Sequence, residues 1–392
     1  MHGLVDSVVM SLIISSRLAA IPHYEPGLTT AAVVARYELR AAIKLASNES
    51  PYPPLEQVQA VLRNGVAGLN RYPDGPSRAL RADIAERHGL HDGQVVIGNG
   101  SCELLLLAGQ ALLDPGTTLV HPEPSFGLYP HLAAAAGAEA IGVPLDASGR
   151  NDLAAMAAAI DERTRLVILC SPNNPTGGYL AASAVEAFLD GLPEDLPVLL
   201  DEAYNDFVTE ADRGRPLSQA RHRPNLLLLR TFSKAHGLCG LRVGYGMGSS
   251  AWIAALDRVR QPFNTSTLAQ AAALESLRHP AALDRRIQET IAERARVAAG
   301  LEGMGVRFTP SQANFILVAP DADDGIHERL LAAGVIVRDG AALGCPGTLR
   351  VSMGTPGEND AFLAALAKVL GRTAPVSALA ARVTPTKDSQ QP

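Results

Sequence analysis

The chain has 392 residues, which is enough for about two to three domains of ordinary size. Hydrophobic residues make up 47% of it and charged residues 19%, so intrinsic disorder is excluded for most of the chain. The 34 basic and 40 acidic residues give a net charge of −6. This charge provides no electrostatic case for a nucleic-acid or acidic-membrane partner.

The cysteines and the N-terminus indicate a cellular location. Four widely spaced cysteines match neither a metal-ligand spacing nor a dense disulfide framework, so we expect no metal site and a reducing, cytoplasmic location. The uncharged N-terminal stretch, residues 7–16, is shorter than the about 20 residues that a transmembrane helix needs. It also lacks the basic flank of a signal peptide. We interpret the first residues as a loose extension and expect no membrane partner.

Short runs of β-branched and leucine residues recur through the middle of the chain and predict buried strands. In chain order they are Val95–Ile97, Thr118–Val120, Leu166–Leu169, Val198–Leu200, Leu226–Leu229 and Val243–Gly246. Alanine- and leucine-rich stretches between several of them predict helices, at Cys102–Leu113, His131–Ala136 and Ala181–Leu189. Strands that alternate with helices favour a largely parallel sheet covered on both faces.

The pattern changes after about residue 265, where a long helix is predicted over Leu283–Leu301. Further strands and helices are predicted at Asn314–Val318, Ile326–Ala333, Val335–Val337, Leu349–Ser352 and Glu358–Leu370. These elements predict a second, smaller α/β domain. The residues beyond it are rich in Ala, Pro, Ser and Thr, and we expect them to be disordered.

A single lysine provides the first chemical signal. Only four lysines occur against thirty arginines, and Lys234 lies in an apolar, glycine-rich stretch. A lysine amine can condense with an aldehyde to form a Schiff base, which an arginine cannot do. Thr231, Ser233 and Arg242 provide two hydroxyls and a bidentate cation, a plausible phosphate clamp. An aldehyde and a phosphate on one small molecule describe pyridoxal phosphate.

Three other strand ends carry matching side chains, at the edge where open α/β sheets bind ligands. Asp201 would keep a pyridine nitrogen protonated, and Tyr204 and Asn174 would hold the phenolic oxygen beside it. Residues 98–103 start a helix whose free N–H groups can bind a phosphate, and Phe126 would provide an aromatic face. Taken alone, such an Asp is more often a helix cap and such a Phe more often a core residue. The usual nucleotide-binding glycine motifs are absent from the sequence.

In this order, these segments resemble the fold-type I, class I/II pyridoxal-phosphate aminotransferases, and most closely their histidinol-phosphate aminotransferase branch. The branch is indicated by further segments at Pro22–Gly27, Lys44–Pro51, Asn70–Asp74, Val335–Asp339 and Leu349–Val351. The resemblance covers about residues 22–371. It implies an α/β fold in which a large domain with a mostly parallel central sheet is joined to a smaller α/β domain.

The resemblance also implies domain boundaries. Residues 1–30 would be an N-terminal extension and arm, and residues 31–55 the start of the small domain or part of that arm. The large cofactor-binding domain would span residues 56–274, and the small C-terminal domain residues 275–371. The expected disordered tail would be residues 372–392.

By resemblance, three residues are catalytic. Lys234 forms the Schiff base and shuttles the proton, Asp201 pairs with the pyridine nitrogen, and Tyr204 holds the phenolic oxygen together with Asn174. The remaining cofactor contacts would come from Ser101, the backbone of Cys102, Phe126, Thr231, Ser233, Arg242 and, in the neighbouring subunit, Tyr72. A shared site of this kind requires a homodimer. The substrate would be bound by Tyr24, Asn174, Arg338 and Arg350.

The implied activity is a ping-pong transamination between histidinol phosphate and 2-oxoglutarate, as in histidine biosynthesis. An arginine fork suits a phosphate and a carboxylate almost equally, so an aromatic amino acid such as phenylalanine stays an alternative amino donor. Threonine-phosphate decarboxylases share these motifs, which keeps a lyase open as well. A non-catalytic pyridoxal-phosphate binder is disfavoured because every chemical residue is present. Cys102, His236 and Cys239 depart from the branch and leave fine specificity and cofactor affinity open.

Overall fold

The structure is a computed structural model that describes residues 27–212, 223–321 and 325–373. The extension predicted for residues 1–30 and the tail predicted for residues 372–392 lie almost entirely outside these ranges. Within the described ranges, the helices are all too short or too polar to cross a membrane.

The larger sheet of the described chain has seven strands, numbered from β2 because β1 belongs to the second sheet. They are β2 (Val95–Gly98), β3 (Thr118–Glu123), β4 (Glu139–Pro144), β5 (Thr164–Cys170), β6 (Val198–Asp201), β7 (Leu226–Thr231) and β8 (Gly244–Gly248). Their order across the sheet is β2-β8-β7-β6-β5-β3-β4. Of these strands, β8 alone runs antiparallel to its neighbours. The predicted mostly parallel sheet is confirmed.

Apolar runs explain the central strands. Every residue of β6 is buried, and so are the four leucines of β7. A parallel strand covered by helices on both faces requires such a run, and the six strands predicted from these runs are all present. The edge strand β4 was not predicted. Most of its side chains are exposed or only partly buried, and Gly142 interrupts its apolar residues.

Strand direction determines where functional residues meet. β2, β5, β6 and β7 point the same way, so their carboxyl ends lie at one edge of the sheet. The antiparallel strand β8 begins at that edge. The loops that carry the predicted chemistry therefore all start or end there, as in other open α/β sheets.

Helices cover the large sheet and build the second domain. In the described ranges they are α1 (Thr30–Arg36), α2 (Glu56–Gly65), α3 (Arg78–His88), α4 (Ser101–Leu112), α5 (Tyr129–Ala136), α6 (Leu153–Ala158), α7 (Ala182–Asp190), α8 (Ser250–Val259), α9 (Thr267–Leu277), α10 (Pro280–Gly303), α11 (Ile326–Ala332) and α12 (Pro356–Val369). Consecutive residues Val167 and Ile168 of β5 lie in two different apolar clusters. Because successive strand residues point to opposite faces, the sheet has one core on each face.

A second sheet joins distant parts of the chain. Its strands are β1 (Ile43–Leu45), β9 (Arg307–Thr309), β10 (Phe315–Ala319), β11 (Val335–Asp339) and β12 (Leu349–Ser352), in the order β1-β11-β12-β10-β9. β1 pairs in parallel with β11, and the two strands share an apolar cluster with α10 and α12. This sheet and its helices confirm the predicted smaller α/β domain, whose residue boundaries stay a prediction.

Candidate active site

Lys234 lies in the loop that follows β7, and its amine is held between two neighbours. Nζ donates to the carbonyl oxygen of Ser47 at 3.4 Å and lies 5.6 Å from the centre of the Tyr204 ring. Burial, together with the charge of Arg350, lowers the pKa of Lys234 to about 8. More of this amine is therefore neutral near pH 7 than for an ordinary lysine, and the neutral amine is the form that reacts with carbonyl carbons.

Asp201 ends β6 with a buried carboxylate. The backbone N–H of Ala203 donates to Oδ1 at 3.1 Å, and the hydroxyl of Tyr129 donates to Oδ2 at 3.1 Å. Burial raises the pKa of Asp201 to about 6, although both hydrogen bonds and the charge of Lys234 oppose the shift. The described residues place no basic group within ion-pair distance of it. A cationic N–H from a ligand would therefore stabilise this carboxylate.

Tyr204 and Asn174 bring two further polar groups to the same edge. Tyr204 is buried, and its hydroxyl accepts a hydrogen bond from Asn48 Nδ2 at 3.0 Å. Asn174 lies in the turn after β5, and its Oδ1 accepts from Arg350 Nη1. Arg350 belongs to β12, so the small sheet contributes a cation to the site.

The start of α4 forms a cradle for an anion. A Cβ added at Gly100, where φ is +79°, would lie 2.5 Å from Arg242 Nη2, and a Cβ at Gly244 would lie 2.5 Å from the backbone nitrogen of Ser101. Both positions therefore need glycine. The absence of these two side chains lets Arg242 and β8 approach the unpaired N–H groups of the helix.

Two hydroxyls complete this cradle. Arg242 Nη1 donates to Ser233 Oγ at 3.4 Å and to the carbonyl oxygen of Cys239 at 2.9 Å. The backbone N–H of Ser233 donates to Thr231 Oγ1 at 3.1 Å. The guanidinium, the hydroxyls and the helix start together form a site that suits a phosphate.

Cys102 and Phe126 lie close to these groups. Burial raises the pKa of the Cys102 thiol, which keeps it neutral, while the charge of Arg242 opposes the shift. The Phe126 ring packs edge-on against Tyr129, with ring centres 5.7 Å apart. Because Tyr129 donates to Asp201, Phe126 lies next to the residue that holds the buried carboxylate.

The remaining predicted residues, Arg338, Tyr72 and Tyr24, do not all lie in this cluster. Arg338 lies directly opposite Arg350 in the β11–β12 pair, and residues in such a pair share one face of the sheet. Tyr72 is 82% exposed and stacks on Phe263, with ring centres 4.6 Å apart. It does not join the cluster within one chain. Tyr24 lies outside the described residues.

Two contacts of the site were not predicted from the sequence. Tyr129 and Asn48 bond to Asp201 and Tyr204, which are 72 and 156 residues away along the chain. A weak signal existed for Tyr129, because a buried tyrosine hydroxyl normally has a partner. Asn48 stood within a motif of the resembling branch, but no local pattern assigned it a partner.

These groups fit pyridoxal phosphate. The buried carboxylate without a basic partner matches a protonated ring nitrogen, and the partly neutral lysine matches an aldehyde. The space between the helix start and the Arg242 guanidinium, which a Cβ at Gly100 would fill, matches a phosphate.

Comparison with known proteins defines the class. The profile of the family described as Aminotransferase class I and II matches residues 40–366. The chain belongs to this family, whose members are pyridoxal-phosphate-dependent enzymes. The family resemblance found in the sequence is confirmed.

Individual relatives show which members of this family the chain is similar to. The chain is similar to a histidinol-phosphate aminotransferase of Geobacillus thermodenitrificans, 40% identical over 91% of this chain and 98% of that protein. It is 44% identical to histidinol-phosphate aminotransferase 2 of Pseudomonas fluorescens over 84% of this chain and 89% of that protein. The solved histidinol-phosphate aminotransferase of Sinorhizobium meliloti, in complex with pyridoxal-5'-phosphate, matches with a TM-score of 0.84 and 27% identity. That match covers 92% of this chain and 99% of the solved one.

Replacing Asp201 with Asn should stabilise the cofactor-free protein near neutral pH. The carboxyl group has a pKa of about 6 in the folded protein, whereas its ordinary value is 3.8. Its charged form therefore destabilises the folded state. The folded wild type therefore loses stability as the pH rises through this window. The free energy of unfolding of Asp201→Asn, relative to wild type, should increase by about 2 kcal/mol from about pH 4.5 to about pH 7.5.

Urea denaturation at both pH values measures this difference. Asp284→Asn, at an exposed position on α10, is the matched control and should show no such increase. A difference for Asp201→Asn that is the same at both pH values would contradict a raised pKa at this carboxyl.

Proposed function

We propose that this protein is a histidinol-phosphate aminotransferase that uses pyridoxal phosphate and passes the amino group to 2-oxoglutarate. The observation that carries the proposal is the convergence of three groups at one sheet edge: the Lys234 amine, the buried Asp201 carboxylate and the cradle of Arg242. The choice of histidinol phosphate as the substrate is supported by relatives that bear this name and are 40% identical over most of the chain.

Lys234 provides an amine and a base. When bound, pyridoxal phosphate supplies an aldehyde that condenses with amines and a ring that takes up negative charge. Lys234 Nζ would take the proton from the substrate Cα and deliver it to the carbon of the cofactor's former aldehyde group. A pKa of about 8 suits a base that must both accept and release a proton near neutral pH.

The polar groups around Lys234 orient the cofactor. The Asp201 carboxylate would hold a proton at the ring nitrogen. Asn174 Oδ1 is occupied by Arg350, so Asn174 can turn only its Nδ2 donor toward the phenolic oxygen, alongside the Tyr204 hydroxyl. The phosphate would be held by Ser101, the backbone of Cys102, Thr231, Ser233 and Arg242, and Phe126 would stack on the ring.

Two arginines of the small sheet would bind the anionic end of the substrate. Arg350 and Arg338 lie opposite each other on one face of the β11–β12 pair, with Asn174 in contact with Arg350. A guanidinium binds phosphate and carboxylate with similar geometry. The pair can therefore bind the phosphate of histidinol phosphate in one half-reaction and 2-oxoglutarate in the other, with Tyr24 in addition.

A homodimer with shared active sites is part of the proposal. Four large apolar side chains, Val66, Leu69, Tyr72 and Phe263, are between 46% and 82% exposed, and two of them stack on each other. Exposed apolar groups on adjoining segments are typical of a contact surface. In the dimer, Tyr72 would donate to the phosphate of the cofactor in the partner subunit.

The proposed location is the cytoplasm. Cys102, Cys170, Cys239 and Cys345 are all free thiols. Thiols stay reduced in that compartment, which supports the proposal.

Lys234→Ala should reduce transamination by at least about 1,000-fold, because the base and the reacting amine are lost together. The wild type with added pyridoxal phosphate should show a visible absorption band that borohydride abolishes, and this reduction should leave the cofactor covalently attached after denaturation in the wild type but not in the variant. Lys368→Ala, at an exposed position on α12, is the matched control and should keep the band. A wild-type protein that forms no such band would contradict the proposal that this protein is a pyridoxal-phosphate enzyme.

Histidinol phosphate should be the preferred amino donor. Steady-state kinetics with 2-oxoglutarate would compare histidinol phosphate, phenylalanine and threonine phosphate, and we expect kcat/KM for histidinol phosphate to be at least about tenfold higher, about 1.4 kcal/mol. A higher kcat/KM for phenylalanine would overturn the proposal that histidinol phosphate is the substrate. Carbon dioxide release from threonine phosphate without an oxo acid would instead establish a lyase.

Tyr72→Phe should weaken cofactor affinity by about 10-fold or more without dissociating the dimer, because one hydrogen bond to a charged phosphate is lost. Equilibrium dialysis and analytical ultracentrifugation measure the two properties. Tyr37→Phe removes a hydroxyl that bonds to Glu328 on α11, and it serves as the control. Unchanged cofactor affinity in Tyr72→Phe would count against a shared site.

A further inference from the structure

Three consecutive residues after β1 contact three different groups of the active site. This 46–48 bend is buried at Ala46 and Asn48. Its contacts are Ala46 O with Arg350 Nη2 at 2.9 Å, Ser47 O with Lys234 Nζ at 3.4 Å, and Asn48 Nδ2 with Tyr204 Oη at 3.0 Å. The first two use backbone oxygens, which any residue provides. Asn48 alone uses a side chain, so its identity matters.

Asn48 is fixed by the small sheet. It is 1% exposed, and its φ of +52° is a left-handed conformation that asparagine tolerates better than most residues. Its backbone N–H donates to Ser352 Oγ at 2.8 Å, and the Ser352 hydroxyl donates to Asn48 Oδ1 at 3.0 Å. Asn314 Nδ2 donates to its carbonyl oxygen at 3.2 Å. The side chain therefore has one orientation, with Nδ2 toward Tyr204.

This orientation determines what the Tyr204 hydroxyl can do. An amide N–H only donates, so the Tyr204 oxygen must accept from Asn48 and its single proton stays available for another acceptor. A hydroxyl that accepts a hydrogen bond is also a stronger donor. Burial raises the pKa of Tyr204 to about 12, while the charge of Arg350 and the Asn48 hydrogen bond lower it.

We propose that Asn48 is a positioning residue that acts through Tyr204. It fixes the Tyr204 hydroxyl as a donor toward the phenolic oxygen of pyridoxal phosphate, and Ser352 links this donor to β12, the strand that carries Arg350. The inference rests on the proposed function, because it requires the cofactor at this site. It assigns Asn48 a role at the cofactor without direct contact.

The test is a pH titration of the visible absorption band of bound pyridoxal phosphate in the holoenzyme. A donor to the negatively charged phenolic oxygen disfavours protonation there, so weakening that donor should raise the pH midpoint by about 0.5–1 unit. Asn48→Asp replaces the donor by an acceptor of the same size, which diverts the Tyr204 proton. Asn48→Gly removes the side chain and accommodates the left-handed backbone. Both variants should show the upward shift.

Two further variants separate a positioning role from a structural one. Because Asn48 acts through Tyr204, the double variant Asn48→Gly/Tyr204→Phe should titrate like Tyr204→Phe alone. Asn359→Ala removes a fully buried asparagine of the small domain that bonds to Gly354 and Glu293, and it should leave the midpoint unchanged.

The outcomes distinguish this inference from the proposed function. A wild type that forms no band overturns both. A wild type that titrates normally, with Asn48→Asp and Asn48→Gly at the same midpoint, overturns only the role of Asn48. Shifts that add in the double variant also overturn it, since they would show an action independent of Tyr204.

Discussion

The site depends on the common direction of four strands in the large sheet. Because β2, β5, β6 and β7 end at one edge, loops that are far apart along the chain deliver their side chains to one place. The reversed strand β8 adds Arg242, which precedes it, at that same edge. A Cβ at Gly244 would lie 2.5 Å from the backbone nitrogen of Ser101, so β8 and the start of α4 approach each other closely at this edge.

Burial at this edge drives both reactive groups toward neutrality. Removal from water raises the pKa of Asp201 to about 6 and lowers that of Lys234 to about 8. A carboxylate without a basic partner and an amine that is partly neutral are unfavourable for a fold that has no ligand. In the proposed function, a protonated ring nitrogen and an aldehyde would relieve one of these conditions each, so the features that reduce stability are those that would recognise the cofactor.

Much of this could be predicted from the sequence, for identifiable reasons. Buried parallel strands must be apolar over their whole length, so β5, β6 and β7 could be recognised in the sequence from their apolar runs. The partly exposed β4 has no apolar run of this kind. Lys234 and Asp201 could be found because their chemistry is unusual beside a strand end. Asn48 and Tyr129 could not, because their roles depend on partners 156 and 72 residues away. The Tyr129 contact exists only once α5 has packed on the large sheet, and the Asn48 contact only once the small sheet has been assembled against it.

The second sheet brings a cation to the base of the site. Arg350 lowers the pKa of Lys234 by repulsion between the two cations, and its Nη1 bonds to Asn174. An anion that binds Arg350 offsets this positive charge, so the repulsion falls and Lys234 becomes a stronger base. In the proposed function, a cation on β12 would therefore link binding of an anionic substrate to proton transfer, which a site built from the large sheet alone would lack.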